Sequence, residues 1–311
     1  MNSTTHDVDT HPTVAFIGLG NMGGPMAANL VQAGVQVYGF DLSAEAVETA
    51  RSKGIDVVTD PLDAVARSEV VLTMLPSGQH VLSAYRDSPG LLSAARPGTI
   101  FLDCSTINIS EAQEAAELAE RAGFRAADAP VSGGVVGAEA GSLAFMAGGR
   151  LEVFQEVLPL LEIMGARVVH CGGSGLGQAA KLCNNMILGI SQIAVGEAFV
   201  LGERLGLDHQ ALYDVVSNAS GQCWALTTNC PVPGPVPTSP ANRDFTPGFA
   251  GALMAKDLTL ATNALDQQGV DAQLGRLAAA IFSEFAQGPG QRQDFSAIIN
   301  TIRDNSHNAG A

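Results

Sequence analysis

The chain has 311 residues, of which 46% are hydrophobic and 15% charged, and its formal net charge is −15. This length allows two domains, and the apolar content is typical of a globular protein with a sizeable core. The acidic balance argues against nucleic acid as a partner, because phosphate binding requires a basic face.

The first twelve residues are polar and acidic, with neither the apolar core of a signal peptide nor the arginine-rich pattern of a transit peptide. We expect a disordered tail over residues 1–12. Five cysteines without a CxxC pair argue against a disulfide framework or a zinc site and fit a reducing compartment. The sequence therefore predicts a cytoplasmic protein that binds no metal.

Residues 13–41 have the order strand, glycine turn, helix, strand, acid that a dinucleotide-binding βαβ unit requires. The fingerprint of the turn is formed by Gly18, Leu19, Gly20, Asn21, Met22 and Gly23. Its glycines permit a tight turn, the approach of a pyrophosphate to the backbone, and close packing of the helix. The N–H groups at the helix N-terminus then attract phosphates. We expect a dinucleotide site here rather than a glycine-rich turn that binds nothing.

Asp41 ends the second predicted strand and indicates which cofactor binds. A carboxylate at this position accepts hydrogen bonds from the adenosine ribose hydroxyls and repels a 2′-phosphate. Residues 42–44 supply no arginine, and the nearest one is Arg51. We therefore expect NAD rather than NADP.

Strands and helices alternate as far as residue 171. Further strands are predicted at 56–58, 69–75, 99–103, 123–128, 142–147 and 167–171. Helices are predicted at 43–53, 110–122 and 151–164, among others. A capping box of Ser110 and Gln113 is expected to start the second of these helices. The alternation is typical of a doubly wound, mainly parallel sheet, so we predict an α/β Rossmann-type domain over residues 13–175.

A glycine-rich junction at 172–177 separates this half from one in which no convincing strand follows. Helices are predicted at 177–205, 208–219, 248–268, 271–286 and 295–303. We expect a long connecting helix and an all-α domain over residues 176–311. The apolar stretch 182–196 is too short and too polar to span lipid, which predicts a buried helix. A loop with six prolines at 230–247 is expected to pack over a domain cleft or a partner subunit.

Lysine is scarce, with three residues against thirteen arginines, so each retained lysine requires an explanation. A lysine shielded from water can lose its proton near neutral pH, which an arginine cannot do. Lys181 lies just beyond the glycine junction, and Gln178, Asn184 and Asn185 add polar side chains to the same helix face. This stripe predicts a cleft wall with a catalytic Lys181, rather than a lysine that snorkels to solvent.

The segment 128–134 reads Asp-Ala-Pro-Val-Ser-Gly-Gly and begins where a predicted strand ends, the edge at which ligands bind in open α/β sheets. Ser132, Gly133 and Gly134 can form an anion nest from successive N–H groups and a hydroxyl, rather than a plain strand-ending turn. Two further segments end strands and should line the same edge of the sheet: 74–76 and 103–106.

These motifs resemble the β-hydroxyacid dehydrogenase family, and the resemblance runs from about residue 13 to about residue 300. Two more distinctive stretches narrow it to members that oxidise 3-hydroxyisobutyrate: Ser-Gly-Gln-Cys-Trp at 220–224 with the following proline loop, and Leu-Met-Ala-Lys-Asp-Leu at 253–258. The resemblance implies hydride transfer between NAD and a small 3-hydroxy acid. It also implies a Rossmann-type domain, an all-helical C-terminal domain, and a metal-free homodimer or homotetramer.

The resemblance implies a role for each site residue. Lys181 is the general acid/base, which takes the hydroxyl proton in its neutral form as hydride leaves the substrate. The substrate carboxylate is assigned to Ser132, Gly133, Gly134 and Asn185, and cofactor contacts to Leu75, Pro76, Thr106 and Lys256. At residues 77–80 this chain departs from the family, which often has an asparagine where His80 stands.

The sequence leaves three other classes of protein open. Tartronate semialdehyde and succinic semialdehyde reductases differ mainly in pocket shape and often in cofactor, where Asp41 disfavours NADP. A 6-phosphogluconate dehydrogenase is disfavoured by the chain length and by the lack of a basic phosphate-binding cluster. A non-catalytic relative that keeps the fold for binding is opposed by Lys181 and by the acidic composition.

Overall fold

The computed structural model describes residues 11–87 and 89–308. The chain divides into two compact units, Met1–Lys181 and Leu182–Ala311. The tail predicted over residues 1–12 lies outside the described residues except for its last two.

A nine-stranded sheet forms the centre of the first unit. Its strands are β1 Val14–Ile17, β2 Val37–Phe40, β3 Asp56–Val57, β4 Val70–Thr73, β5 Ile100–Asp103, β6 Arg125–Asp128, β7 Val131–Ser132, β8 Leu143–Gly149 and β9 Gly165–Gly172. Their order in space is β3-β2-β1-β4-β5-β6-β8-β7, with β9 beside β8. Among the described strand pairs of this sheet, β6–β8 and β7–β8 are the antiparallel ones. The order reverses between β1 and β4, the switch point at which open α/β sheets bind ligands.

Helices flank this sheet in the first unit. They are α1 Gly23–Gln32, α2 Ala44–Ser52, α3 Pro61–Arg67, α4 Gly78–Arg86, α5 Leu91–Ala94, α6 Ile109–Arg121, α7 Gly134–Glu139 and α8 Leu151–Met164. Successive residues of β1 alternate between two hydrophobic clusters, with Val14 and Phe16 in one and Ala15 and Ile17 in the other. Successive side chains of a strand point to opposite faces of the sheet. The run at 14–17 is continuously apolar because both faces are covered by hydrophobic clusters.

The predicted start of α6 is wrong. Its N-cap is Asn108 rather than Ser110, and the carboxylate of Glu111 accepts the Asn108 N–H at 3.0 Å. This capping box lies two residues before the one predicted from Ser110 and Gln113. Glu111 binds both the main-chain and the side-chain N–H groups of Asn108, so the helix already begins at Ile109.

The described part of the second unit consists of helices and irregular connections, and its only β pairing is an isolated bridge between Ala250 and Asp294. Helix α9, Leu176–Leu205, begins in the first unit and continues into this one. The other helices are α10 His209–Val216, α11 Trp224–Thr227, α12 Gly251–Gln268, α13 Gln273–Gln287 and α14 Ile298–Asn308, with short 3-10 helices at Pro240–Arg243, Pro289–Gln291 and Phe295–Ala297. The predicted fold class, an α/β Rossmann-type unit followed by a long helix and an all-α unit, is confirmed.

Helix α9 is long and apolar enough by composition to cross a membrane, with a mean hydropathy of 1.4 over an 18-residue window. Half of that window is buried inside the protein. The polar side chains of Asn185 and Gln192 are also buried. The burial agrees with the buried helix predicted for residues 182–196. The expectation that this stretch is too short and too polar to span lipid was wrong by length and composition, because the helix extends beyond it at both ends.

The proline-rich segment 230–247 is held by its own hydrogen bonds. Val232 and Val236 are buried in a hydrophobic cluster of the second unit. The Asn242 side chain accepts the Gly234 N–H at 2.9 Å and donates to the Val236 carbonyl at 2.8 Å. The segment is therefore part of the core of its own unit, and its role over a cleft or a partner subunit stays a prediction.

Candidate active site

The turn between β1 and α1 uses its three glycines in three different ways. Gly18 has φ +98°, and a Cβ on it would lie 2.3 Å from the Met74 carbonyl oxygen. A Cβ on Gly23 would lie 1.9 Å from the Gly18 carbonyl oxygen, so the helix packs directly on the turn. A Cβ on Gly20 would meet nothing within 4 Å. The turn is therefore tightly packed at Gly18 and Gly23 and leaves free space at Gly20, where the backbone can approach a pyrophosphate.

The N-terminus of α1 is available to an anion. No side chain of the described residues caps it at Met22. Gly20 and Asn21 are exposed beside it. Because the first N–H groups of a helix lack intrahelical partners and carry a positive partial charge, this opening suits a phosphate.

Asp41 is fixed beside the same turn. Its carboxylate accepts the Leu19 N–H at 2.7 Å and the Ser43 N–H at 2.7 Å. The residue follows β2 directly, where the βαβ pattern placed it. Its contact with the glycine turn was not predicted, and it holds the carboxylate next to the opening at Gly20.

The segments that follow β4 and β5 are joined through Ser105. The Leu75 N–H donates to Ser105 Oγ at 2.8 Å, and the Ser105 hydroxyl donates to Asp103 Oδ1 at 2.6 Å. Because β4 and β5 are parallel neighbours, these strand ends meet at one edge of the sheet. Leu75, Pro76 and Thr106 therefore follow adjacent strand ends, as predicted from the sequence.

Asp103 is a buried carboxylate behind this edge. Burial raises its pKa to about 6, although hydrogen bonds from Ser105 and Thr73 oppose the shift. Its Oδ2 atom has no hydrogen-bond partner among the described residues. A carboxylate that keeps one oxygen dry and unpaired is costly to ionise, which explains the direction of the shift.

Asp128 caps the helix that carries Lys181. Its carboxylate accepts the Gly175 N–H at 2.7 Å and the Gln178 N–H at 3.0 Å, at the start of α9. Burial raises the pKa of Asp128, and these hydrogen bonds oppose the rise. A Cβ on Gly177 would lie 2.7 Å from Asp128 Oδ2, so the helix approaches the strand end too closely for any other residue at that position.

Ser132, Gly133 and Gly134 lie a few residues after Asp128, where β7 meets α7. Gly133 has φ +134° and Gly134 has φ +62°, conformations that favour glycine. Ser132 pairs with Ala144 of β8 and is half-buried, while Gly133 is exposed. Consecutive N–H groups at a positive-φ turn match the predicted anion nest, which stays a proposal.

Lys181 is 5% exposed, so it does not extend to solvent. On α9 it shares a face with Gln178 and Asn185, which are also buried and lie three residues before it and four after it. Asn184, predicted as part of the same stripe, is exposed instead and donates to Asn185 Oδ1 at 3.0 Å. A lysine buried beside polar side chains is a candidate for catalysis, whereas a surface lysine would be exposed.

In the second unit, Asn185 is fixed by α12. Its side-chain amide donates to Asp257 Oδ2 at 2.5 Å, and both residues are buried. Lys256 is half-buried beside it, with Nζ 3.9 Å from Asp257 Oδ1. The predicted residues of this unit, Asn185 and Lys256, therefore meet at one acidic side chain that the sequence analysis did not assign to the site.

Sequence analysis placed Asp103 and Asp128 in strand-ending segments at this edge but gave neither carboxylate a role. The two are paired in register at the ends of β5 and β6. A charged residue that ends a buried apolar strand is the signal that could have identified both, because such a carboxylate needs nearby N–H or O–H donors.

The sheet order, the glycine turn and the helical second unit together define a dehydrogenase of the Rossmann class. Two family models match the chain: the NAD-binding domain of 6-phosphogluconate dehydrogenase over residues 13–173, and the NAD-binding domain of NADP-dependent 3-hydroxyisobutyrate dehydrogenase over residues 175–302. The chain belongs to the 3-hydroxyisobutyrate dehydrogenase family of β-hydroxyacid dehydrogenases. The predicted family, the NAD-binding domain and the oxidoreductase class are thereby confirmed.

Named relatives agree with this assignment. A Pseudomonas aeruginosa 3-hydroxyisobutyrate dehydrogenase is 45% identical, over 93% of this chain and 98% of its own length. An NAD-dependent L-serine dehydrogenase of the same organism is 41% identical, over 92% and 96%. The solved structure of Mycobacterium tuberculosis 3-hydroxyisobutyrate dehydrogenase with L-serine is 53% identical, with a TM-score of 0.89 over 94% of this chain and 99% of that one. The chain is similar to dehydrogenases of two hydroxy acids.

Proposed function

We propose that this protein oxidises 3-hydroxyisobutyrate to methylmalonate semialdehyde with NAD, a step of valine catabolism. The observation that carries the proposal is the buried Lys181 on the first turns of α9, a helix whose N-terminus is bound by Asp128 just before the loop 132–134. The lysine proposed as proton acceptor and the loop proposed to bind the carboxylate are thus both connected to the end of β6, and oxidation of a short hydroxy acid requires both functions.

The first unit fits the cofactor. The open centre of the turn at Gly20, the uncapped start of α1 and the fixed Asp41 carboxylate would receive the pyrophosphate and the adenosine ribose. Leu75, Pro76, Thr106 and Lys256 are proposed as further contacts. When bound, NAD accepts the hydride from the substrate carbinol carbon.

NAD is favoured over NADP, although one matching family model is described as NADP-dependent. Asp41 would repel a 2′-phosphate. Leu42, which follows it, is 92% exposed and offers no positive charge. The choice follows from the residues present at this edge rather than from the family.

Lys181 in its neutral form would take the hydroxyl proton as hydride leaves, and in the reverse direction it would return that proton. Ser132, Gly133, Gly134 and Asn185 would hold the carboxylate through neutral donors. Neutral donors suit a single carboxylate on a short acid, whereas a sugar phosphate calls for arginine or lysine clusters.

L-Serine is a second candidate substrate, because one relative is a serine dehydrogenase and one solved relative contains L-serine. Serine has the same carboxylate and 3-hydroxyl as 3-hydroxyisobutyrate. It differs at C2, where an ammonium replaces a methyl group. A site that accepts serine productively must therefore supply an acceptor for that ammonium, since an unpaired buried charge is costly.

The test is NADH formation with 3-hydroxyisobutyrate, 3-hydroxypropionate, L-serine and glycerate, each measured with NAD and with NADP. We expect the highest kcat/KM for 3-hydroxyisobutyrate with NAD. A higher kcat/KM for serine would establish the second candidate, and preference for NADP would refute the role given to Asp41. No turnover with any of the four acids would end the proposed function.

We also propose a homodimer or homotetramer in the cytoplasm. The helical unit exposes large apolar side chains on α9, with Ile187, Leu201 and Leu205 between 60% and 70% accessible. Such exposure is typical of a face covered by another subunit. Light scattering of the purified protein measures the mass, and a monomer at micromolar concentration would contradict the first proposal.

A further inference from the structure

The side-chain carboxamide of Gln178 forms hydrogen bonds to the main chain on both sides of Thr106. Its Nε2 donates to the Ser105 carbonyl oxygen at 2.7 Å, and its Oε1 accepts the Ile107 N–H at 3.1 Å. Gln178 is fully buried, so neither hydrogen bond competes with bulk water. One side chain thereby binds the main chain on both sides of Thr106.

The same helical turn is fixed at a second point. Asp128 accepts the main-chain N–H groups of Gly175 and Gln178. The start of α9 is therefore attached to the segment after β5 through the Gln178 side chain, and to the end of β6 through the Gln178 main chain. Because β5 and β6 are parallel neighbours, both attachments lie at one edge of the sheet.

Lys181 lies three residues after Gln178, on the same face of the helix. A helix is stiff over one turn, so the position of the Lys181 backbone follows that of Gln178. The Gln178 amide thus controls the spacing between Lys181 and the segment that contains Thr106. Without it, the Ser105 carbonyl and the Ile107 N–H lose their partner, and the segment must shift to find others.

We propose that Gln178 is a positioning residue for hydride transfer, which holds the segment 105–107 at a set distance from Lys181. This inference rests on the proposed function, since Lys181 and Thr106 are assigned there to the proton acceptor and to a cofactor contact. The proposal gives Gln178 no contact with substrate or cofactor. It acts through the main chain of the segment it binds.

The test compares Gln178→Leu with Gln192→Leu. Gln192 is a matched control, because it is a fully buried glutamine on the same helix, but in the second unit. The readout is single-turnover NADH formation with NAD limiting, substrate saturating, and enzyme in excess, raised until the rate constant no longer depends on its concentration. Misfolded molecules leave this limiting rate constant unchanged, whereas misplaced reacting groups lower it.

For Gln178→Leu we expect the rate constant to fall about 10- to 100-fold, the effect of displacing reacting groups by about an ångström. Gln192→Leu should keep the wild-type rate constant. Gln178→Met provides a second variant should the leucine variant fold poorly. It has nearly the length of glutamine but neither the amide donor to Ser105 nor the amide acceptor for the Ile107 N–H, so it should also slow the step. Wild-type rate constants in both Gln178 variants would overturn the proposal.

A second readout does not depend on activity. Hydrogen exchange of the protein without ligands reports the Ile107 amide directly, and we expect faster exchange in Gln178→Leu than in wild type or Gln192→Leu. Unchanged exchange at residue 107 would refute the attachment itself. If the wild type oxidises no hydroxy acid, the proposed function fails, and faster exchange in Gln178→Leu alone would still support the attachment.

Discussion

Two glycine-rich turns of the first unit have similar composition, but one leaves the following helix uncapped and the other is capped by a carboxylate of the protein. Residues 18–23 connect β1 to α1, and residues 172–177 connect β9 to α9. Each precedes a helix, and each contains at least one glycine with positive φ: Gly18 in the first, Gly172 and Gly175 in the second. From composition alone, both turns are equally good candidates for binding an external anion.

The structure separates the two turns by what lies at the helix N-terminus. The first turn has no side-chain cap and leaves empty space at Gly20. The second is occupied by Asp128, whose carboxylate accepts the N–H groups of Gly175 and Gln178. One helix start is thus open to an anion from outside, whereas the other contains an anion from the protein itself. Three predictions test this contrast, and a further one concerns Asp103, the strand-end neighbour of Asp128.

The largest effect is expected at Lys181, which lies on the helix that begins at the occupied turn. Lys181→Ala should reduce substrate oxidation at least about 100-fold, the usual scale for a positioned acid/base, while NADH binding stays close to wild type. Lys181→Arg should be nearly as inactive, because a guanidinium does not release its proton. Steady-state kinetics and a fluorescence titration with NADH measure the two quantities.

Lys53→Ala serves as the control for the lysine variants, since Lys53 is an exposed residue at the end of α2. It should leave both activity and NADH binding unchanged. Retention of most of kcat in Lys181→Ala would remove Lys181 from the mechanism.

The open turn is tested by filling it. Gly20→Val adds a side chain where no atom lies within 4 Å, so the fold should keep its melting temperature. The added side chain would stand where the phosphates approach, and the loss of one or two charge-assisted hydrogen bonds should weaken NADH binding about 10- to 100-fold. Isothermal titration and thermal unfolding give the two numbers.

Gly23→Ala provides the opposite pattern. Its Cβ would lie 1.9 Å from the Gly18 carbonyl oxygen, so the protein should be destabilised by about 1–3 kcal/mol. If both variants lost stability equally, Gly20 would be a packing residue and the opening would have no ligand role.

The third prediction concerns pH and Asp103. Its pKa is about 6 in the folded protein, against about 3.9 in an unfolded chain. Between these values the unfolded chain binds fewer protons than the folded one, so the free energy of unfolding falls as pH rises from 4 to 6 and levels off above. The shift corresponds to a loss of up to about 3 kcal/mol.

Asp103→Asn cannot ionise, so this component of the pH dependence should vanish. Denaturant unfolding of both proteins at pH 4, 5, 6 and 7 measures the difference. A constant gap between the two curves across this range would show that Asp103 titrates at its ordinary pKa.

The smallest effect is expected from weakening the internal cap. Asp128→Asn places an amide beside the helix N–H groups and removes the negative charge, which should cost about 1–2 kcal/mol of stability. Asp63→Asn, at an exposed carboxylate in the first turn of α3, is the control and should change stability far less. Equal losses in the two variants would mean that Asp128 contributes no more than a surface charge.

Several site residues were predictable because their signals are local. The strand-turn-helix order around Gly18 and Gly23 follows from steric limits that act within a few residues. Asp41 follows from its place at the end of β2. The burial of Lys181 beside Gln178 was implied by helix periodicity, since residues three apart share a face.

One prediction was wrong because two local signals were equally good. Ser110 and Gln113 have the spacing of a capping box, but Asn108 and Glu111 have the same spacing and form it. The sequence also left open which of the neighbours Asn184 and Asn185 faces inward; tertiary packing buries Asn185 and leaves Asn184 exposed.

The sequence by itself determined the glycine turn and the position of the lysine, because each rests on spacing within one segment, and it determined the family, because several motifs along residues 13–300 resemble it. Only the tertiary structure decided which turn is open and what holds the lysine helix. Gln178 binds Ile107 across 71 residues, and Asp128 binds Gly175 across 47. Such partners depend on which strand ends become neighbours in the sheet, and this is a property of the whole packed unit that no local spacing encodes.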